Sequence, residues 1–213
     1  MDGMKNIELV TLADMVARPD LYWSLAEQLT TLPCPSVFMV EEVPENIEQF
    51  TERLSYGQKY FMSAQEKNDV NVIIRYVGGY FFPLLTGKPW DESECLKWCE
   101  CLKPMPVVDL YPITFRLTEL MLEVVKREKE LLERKPSKQE QAAGIEKLNR
   151  FSELSAIKFL QKEFGVSRDA VMQLPYNECL VEFVYSHEVQ AYEQRLAEIY
   201  RKENEDKAKN KYK

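Results

Sequence analysis

After Ile113, apolar side chains return at Leu117, Leu120, Met121 and Val124, the spacing that lines one face of an α-helix. This period dominates the chain downstream of residue 44. Ile47, Phe50 and Leu54 begin one helix after Pro44-Glu45. Asp69 caps another through Val70, Ile73, Ile74 and Val77. Asp91 or Ser93 caps a short one that ends near Cys101. Further on, Phe151, Leu154, Ile157 and Phe164 mark a helix stopped by Gly165, and Ser167 caps a short turn that ends before Pro175. A final helix from about Tyr176 to Lys202 carries the stripe Val181, Tyr185, Val189, Tyr192, Leu196 and Ile199. Only 7 of 213 residues are glycine, which disfavours all-β folds and phosphate-cradling loops. The expected class is mainly α. Strand-like alternation is confined to one short ribbon at most, built from Ile7–Val10 and Val37–Val40, with a short helix over Asp20–Leu32 between them.

The breaks in this pattern organise the chain. Ser55-Tyr56-Gly57-Gln58 interrupts or bends the second helical segment, and Gly78-Gly79 allows a kink or the close approach of another backbone. From Glu133 to Gln141 no large apolar side chain appears, and Pro136 stops the preceding helix. Charge changes sign at the same place, from −9 over residues 1–125 to +2 over 126–213. The reading is an upstream helical module over 1–129, a polar hinge over 130–147, a downstream helical module over 148–203 and a frayed charged tail over 204–213.

Few residues offer chemistry. His187 is the sole histidine, which nearly excludes multi-histidine metal sites and leaves one candidate for a general base. No nucleophile-elbow motif accompanies it, and it reads as a partly buried helical histidine. Cys95 and Cys99 share a helical face while Cys101 points elsewhere. The second thiol pair that zinc requires is missing, so these read as small buried apolar groups and no metal is expected. Five cysteines and no opening apolar signal segment fit free thiols in a reducing cytoplasm, and no apolar run is long enough to cross a membrane. Phe164 to Val171 resembles a DNA-binding helix-turn-helix. Pro175 stops its second helix too early, and Glu163 and Asp169 would repel phosphates, so a compact helical corner is the expectation. A net charge of −7 argues against a general nucleic-acid binder. The middle of the chain is densely aromatic. Most of those rings belong in a core, but a surface rich in aromatics can also take partner helices.

Two stretches together resemble the tail assembly chaperones of long-tailed bacteriophages. The first is Leu54-Ser55-Tyr56-Gly57-Gln58, then Asp69 and Val72-Ile73-Ile74-Arg75-Tyr76, the acidic turn after Trp90, a proline-bounded segment and a long helix. The second is Leu160-Gln161-Lys162-Glu163-Phe164-Gly165-Val166-Ser167, then Val171, Leu174-Pro175-Tyr176, Leu180 and the Tyr192-Glu193-Gln194-Arg195-Leu196 helix. The similarity spans roughly residues 50–203. It implies a two-module, non-enzymatic protein of the infected host's cytoplasm, often made by programmed frameshifting, with no cofactor. Its partners would be the helices of the tape-measure protein and the tail tube subunit, before tail assembly. A client surface is expected on Tyr56, Tyr60, Phe61, Tyr80, Phe81 and Phe82, beside the Gly78-Gly79 step. The alternatives are a structural adaptor of the phage particle, a small helical regulator, or an enzyme whose dispersed site centres on His187.

Overall fold

A computed structural model of the chain describes residues 11–17, 43–63, 72–134, 136 and 138–211. Both candidate strands, the Asp20–Leu32 helix and the Asp69 cap lie outside them. Within the described residues the protein is mainly helical and has no sheet, only isolated bridges between Thr11 and Pro106 and between Ser55 and Pro175.

The helices, in chain order, are α1 (Leu12–Ala17), α2 (Ile47–Glu52), α3 (Tyr56–Ser63), α4 (Gly79–Thr86), α5 (Glu92–Trp98), α6 (Val107–Leu132), α7 (Lys138–Ala142), α8 (Ser152–Phe164), α9 (Arg168–Val171) and α10 (Tyr176–Lys211). A π-helical segment, Ile74–Gly78, leads into α4, and 3-10 turns follow α5 and precede α8. Several boundaries have visible causes. Asn46, Asp91 and Ser167 each cap a helix by accepting a backbone N–H three residues on. Asn46 therefore sets the start of α2, two residues after the Pro44 expected to open it. Gly165 closes α8 with φ 66°. The long helix starts at Val107, six residues before Ile113, and accommodates Pro112 in its second turn. The last helix continues past Lys202 to Lys211, so residues 204–211 are helical, not frayed. Ion pairs Lys202–Glu198 at 3.2 Å and Arg201–Glu205 at 3.7 Å link successive turns there.

Pro83 lies inside α4 and has no N–H for the Gly79 carbonyl one turn back. The buried Gln58 side chain supplies the missing donor, with Nε2 to Gly79 O at 2.8 Å. Its Oε1 accepts from Ser55 N at 2.9 Å, while Ser55 Oγ accepts from Gln58 N at 3.2 Å. This reciprocal pair is a capping box at the start of α3. One amide thus caps α3 and ties it to α4. Gly78 serves a second close approach, because a Cβ there would lie 2.3 Å from Cys99 Sγ.

The main core gathers Phe50, Met62, Ile73, Tyr80, Phe81, Leu110, Leu117 and Leu120 around α6. Tyr176 and Leu180 of α10 belong to this cluster. A smaller cluster joins Ile157, Leu160, Val171 and Cys179, and Tyr56 of α3 belongs to it. The segments on either side of residues 130–147 therefore exchange buried side chains. Each such aromatic or leucine burial is worth roughly 1.5–3 kcal/mol. The hinge itself is solvated yet partly ordered: α7 and the 3-10 turn from Ile145 lie within or beside it, and Arg134 pairs with Glu140. Beyond this, α10 buries Tyr176, Cys179 and Leu180, while Val181, Tyr185, Tyr192 and Ile199 of the sequence-read stripe are exposed.

Two outcomes follow from this packing. Gln58→Ala should destabilise the protein by about 1–3 kcal/mol, because it strands a buried carbonyl. Much of that loss should disappear in a Pro83→Ala background, where an N–H is restored to the helix; a thermal double-mutant cycle reads the coupling. Limited trypsin digestion should cut first at Lys135, Lys138 or Lys147, and the two fragments should co-elute on native gel filtration, held together by the exchanged Tyr56, Tyr176 and Leu180.

Candidate functional site

The first turn of any α-helix leaves backbone N–H groups without partners inside the helix. In α3 these groups are met from the far side of the hinge. Tyr56 N donates to Leu174 O at 2.8 Å and Gly57 N to Met172 O at 3.0 Å. In return, Tyr176 N, at the first turn of α10, donates to Leu54 O at 2.9 Å. Gly57 is needed for this approach, since a Cβ would lie 2.8 Å from Met172 O and 2.4 Å from the Trp90 ring. Gln173 adds a two-point clamp: its Oε1 accepts from Trp90 N at 3.0 Å and its Nε2 donates to Trp90 O. Trp90 in turn packs on Phe61, with ring centroids 5.3 Å apart.

Beside this joint lies a cleft of about 290 Å³ between α3 and α6 on one side and α8 and α10 on the other. Its walls mix apolar groups (Leu132, Ala156, Phe183) with polar ones (Lys59, Tyr60, Glu128, Glu153). Glu128 of α6 anchors it, pairing with Lys59 Nζ at 2.8 Å and accepting from the Tyr176 hydroxyl at 3.2 Å. Across the cleft the Tyr60 hydroxyl donates to Glu153 Oε2 at 3.1 Å. Burial raises the Tyr56 and Tyr176 phenols well above their ordinary value, with Glu128 adding to both. Burial also raises Tyr60, aided by its bond to Glu153, and pushes the Cys179 thiol up to about 12, with Glu178 contributing. These groups are neutral hydrogen-bond donors near pH 7. The arrangement can hold an amphipathic surface and offers no activated thiolate or phenolate.

Of the six expected client-surface residues, Tyr56, Phe61, Tyr80, Phe81 and Phe82 are buried at 7% exposure or less. Phe81 and Tyr80 pack edge to face, Tyr80 stacks on Phe50, and Phe82 meets Trp90 and Trp98. Phe61, Tyr80, Phe81 and Phe82 pack into the main core and Tyr56 into the smaller cluster; of the six, Tyr56 and Tyr60 line the cleft. The exposed apolar side chains are elsewhere, including Leu122 and Val125 on α6 and Leu148, Phe151 and Leu154 at the start of the downstream segment. Gln58 enters the sequence reading only as part of the Ser55–Gln58 break and motif, and Gln173 and Glu128 do not enter it. The Ser55-x-x-Gln58 spacing is the one local signal among them, a capping-box pattern.

The remaining candidates take structural places. Cys95 and Cys99 are buried and Cys101 is exposed, as helical spacing requires. The Cys95 thiol donates to Cys99 and is held protonated by that bond and by burial. Cys99 in turn points at Ile74 O, 3.8 Å away, in the π-helical segment. His187 is half-buried on α10, with both ring nitrogens shielded and without a hydrogen-bond partner. The corner at Gly165 leads into α9, a single turn of four residues, too short to lie along a DNA groove. No described helix is long and apolar enough to cross a membrane.

The raised phenols and thiol give a pH signature. A group whose folded pKa exceeds its unfolded value stabilises the fold below the unfolded pKa and loses that contribution as pH rises. For Cys179 the loss begins near pH 9, and for Tyr56 and Tyr176 near pH 10. Thermal stability should therefore fall steeply from about pH 9 upward. Ultraviolet titration should show two tyrosines ionising only as the helical signal is lost. Set against family models, curated proteins and solved structures, the chain matches none.

Proposed function

We propose that this protein is a non-enzymatic assembly chaperone of a long-tailed bacteriophage. It would act in the host cytoplasm, where it shields helical segments of the tape-measure protein, and the tail tube subunit, before the tail is built. The observation that carries this reading is the joint. The two stretches on which the resemblance rests, around Ser55-Tyr56-Gly57-Gln58 and Leu174-Pro175-Tyr176, are hydrogen-bonded to each other by three backbone contacts. Motifs 120 residues apart in the chain thus serve one structural purpose, as parts of one device would.

Three further features support it. A tape-measure chain is a long run of amphipathic helix that must stay soluble while a tube forms around it. Its binder needs grooves that accept apolar side chains at i, i+3, i+4 and i+7, within an acidic and soluble exterior. The cleft beside Tyr60, Leu132 and Phe183 has apolar side chains on both walls, and Leu148, Phe151 and Leu154 add exposed apolar surface on the same downstream segment. The net charge of −7 supplies the soluble exterior. The Tyr60 phenol, held neutral by burial and by its bond to Glu153, gives the cleft a polar contact for such a helix.

The test is suppression of aggregation. A tape-measure helical fragment diluted from denaturant should scatter light alone and stay clear with equimolar chaperone. The Leu148→Asp/Leu154→Asp variant should keep its circular dichroism, because both side chains are exposed, and should bind the fragment at least tenfold more weakly. Wild-type protein that neither binds the fragment nor changes its scattering would overturn the reading.

A further inference from the structure

The outer face of α10 carries Tyr185, Val189, Tyr192, Leu196 and Ile199, spaced alternately four and three residues apart. This is the a/d spacing of a coiled-coil seam. Among the described residues nothing after Leu180 is buried, and Tyr185, Tyr192 and Ile199 are 67%, 59% and 53% exposed. The face that docks on the body is the opposite one, through Tyr176, Cys179 and Leu180. The seam is therefore an apolar stripe that faces away from the side by which the first turns of α10 dock, and it runs on beyond those turns.

The flanking charges say what fits it. With Val189 and Leu196 at a and Tyr185, Tyr192 and Ile199 at d, the g positions are Glu188, Arg195 and Lys202, and the e positions include Ser186, Glu193, Tyr200 and Lys207. Among the described residues neither Glu188 nor Arg195 has an ion-pair partner within the chain. Two copies in parallel would set Glu188 against Glu193 of the second copy, and Lys202 against its Lys207. Both contacts repel. Antiparallel pairs bring g against g. Centred near Gln194, such a pair sets Arg195 against itself at g and Glu193 against itself at e, which oppose its Glu188–Lys202 contacts; centred near His187, it sets Glu188 against itself. Centred on the step between Gln190 and Ala191, it sets Glu188 against Arg195 of the second copy, twice by symmetry. In that register Tyr185 meets Leu196 and Val189 meets Tyr192, again twice each.

We propose that two copies of this chain associate through α10 as an antiparallel helix pair with its two-fold axis at Gln190–Ala191. The contact is isologous, so it closes at a dimer. It spans about two heptads and falls below the size of a standard interface, so the dimer is weak and concentration-dependent. The proposal does not rest on the client reading and is tested without a client.

Sedimentation velocity of the full-length protein from about 1 to about 200 µM reads it. Wild type should pass from monomer to dimer within that range. Tyr192→Glu should keep the chain monomeric with unchanged helix content. Glu188→Arg alone and Arg195→Glu alone should each weaken association about tenfold, since each creates two like-charge contacts. The double variant Glu188→Arg/Arg195→Glu should restore it. A protein monomeric throughout, a dimer indifferent to Tyr192→Glu, or a double variant no better than the singles would each overturn the proposal.

Discussion

The N-terminus of α3 presents four backbone N–H groups in succession, at Ser55, Tyr56, Gly57 and Gln58, and all four are used. Two are met locally by the Ser55–Gln58 box, and two by the Leu174 and Met172 carbonyls that follow α9. The carbonyls at a helix C-terminus are as short of partners as the N–H groups at an N-terminus, and the two ends carry opposite partial charge. Bringing one end onto the other satisfies both without water and fixes where the chain beyond residue 148 can sit. From that contact follow the start of α10 at Tyr176, the burial of Tyr176 and Leu180 against α6, and the position of the cleft.

Gln58 makes the contact rigid. A proline inside a helix costs about 3 kcal/mol when its stranded carbonyl finds nothing. Here the same amide that caps α3 reaches that carbonyl on α4, so the two defects, an uncapped start and a broken ladder, offset each other. The Phe61–Trp90 and Trp90–Gln173 contacts then carry the constraint from α3 to the downstream segment.

Helix positions were legible in the sequence because each depends on neighbours within one or two turns. Asp91, Ser167 and Gly165 stop or start helices as their local chemistry requires. What was not legible is relational. The aromatic density at residues 80–82 says that rings are buried or displayed but not which; packing against Phe50 and Trp90 decides for burial. The stripe on α10 has the period of a core face, yet Cys179, Leu180 and Phe183 offer another apolar face on the same helix. Periodicity cannot rank two faces; the joint at Tyr176 does, because it fixes the rotation of α10. The polar run from Glu133 to Gln141 marks a solvated crossing, but a crossing in sequence does not separate cores when Tyr56 and Tyr176 each pack on the other side.

Glu128 shows how these constraints converge. It sits on α6, pairs with Lys59 of α3 and accepts from Tyr176 of α10, so one partly buried carboxylate ties its own helix to two others at the rim of the cleft. A charge held this way is stable only while both donors stay in place, since losing either leaves an under-compensated carboxylate in a partly apolar setting. Widening the cleft must therefore strain the contacts that cross it, Tyr176–Glu128 and Tyr60–Glu153, and Tyr176 is the residue from which α10 takes its direction. The cleft and the outer seam of α10 are for that reason mechanically linked: a helix wedged between Tyr60 and Phe183 would move the base of the same helix that presents Tyr185 and Tyr192 to solvent.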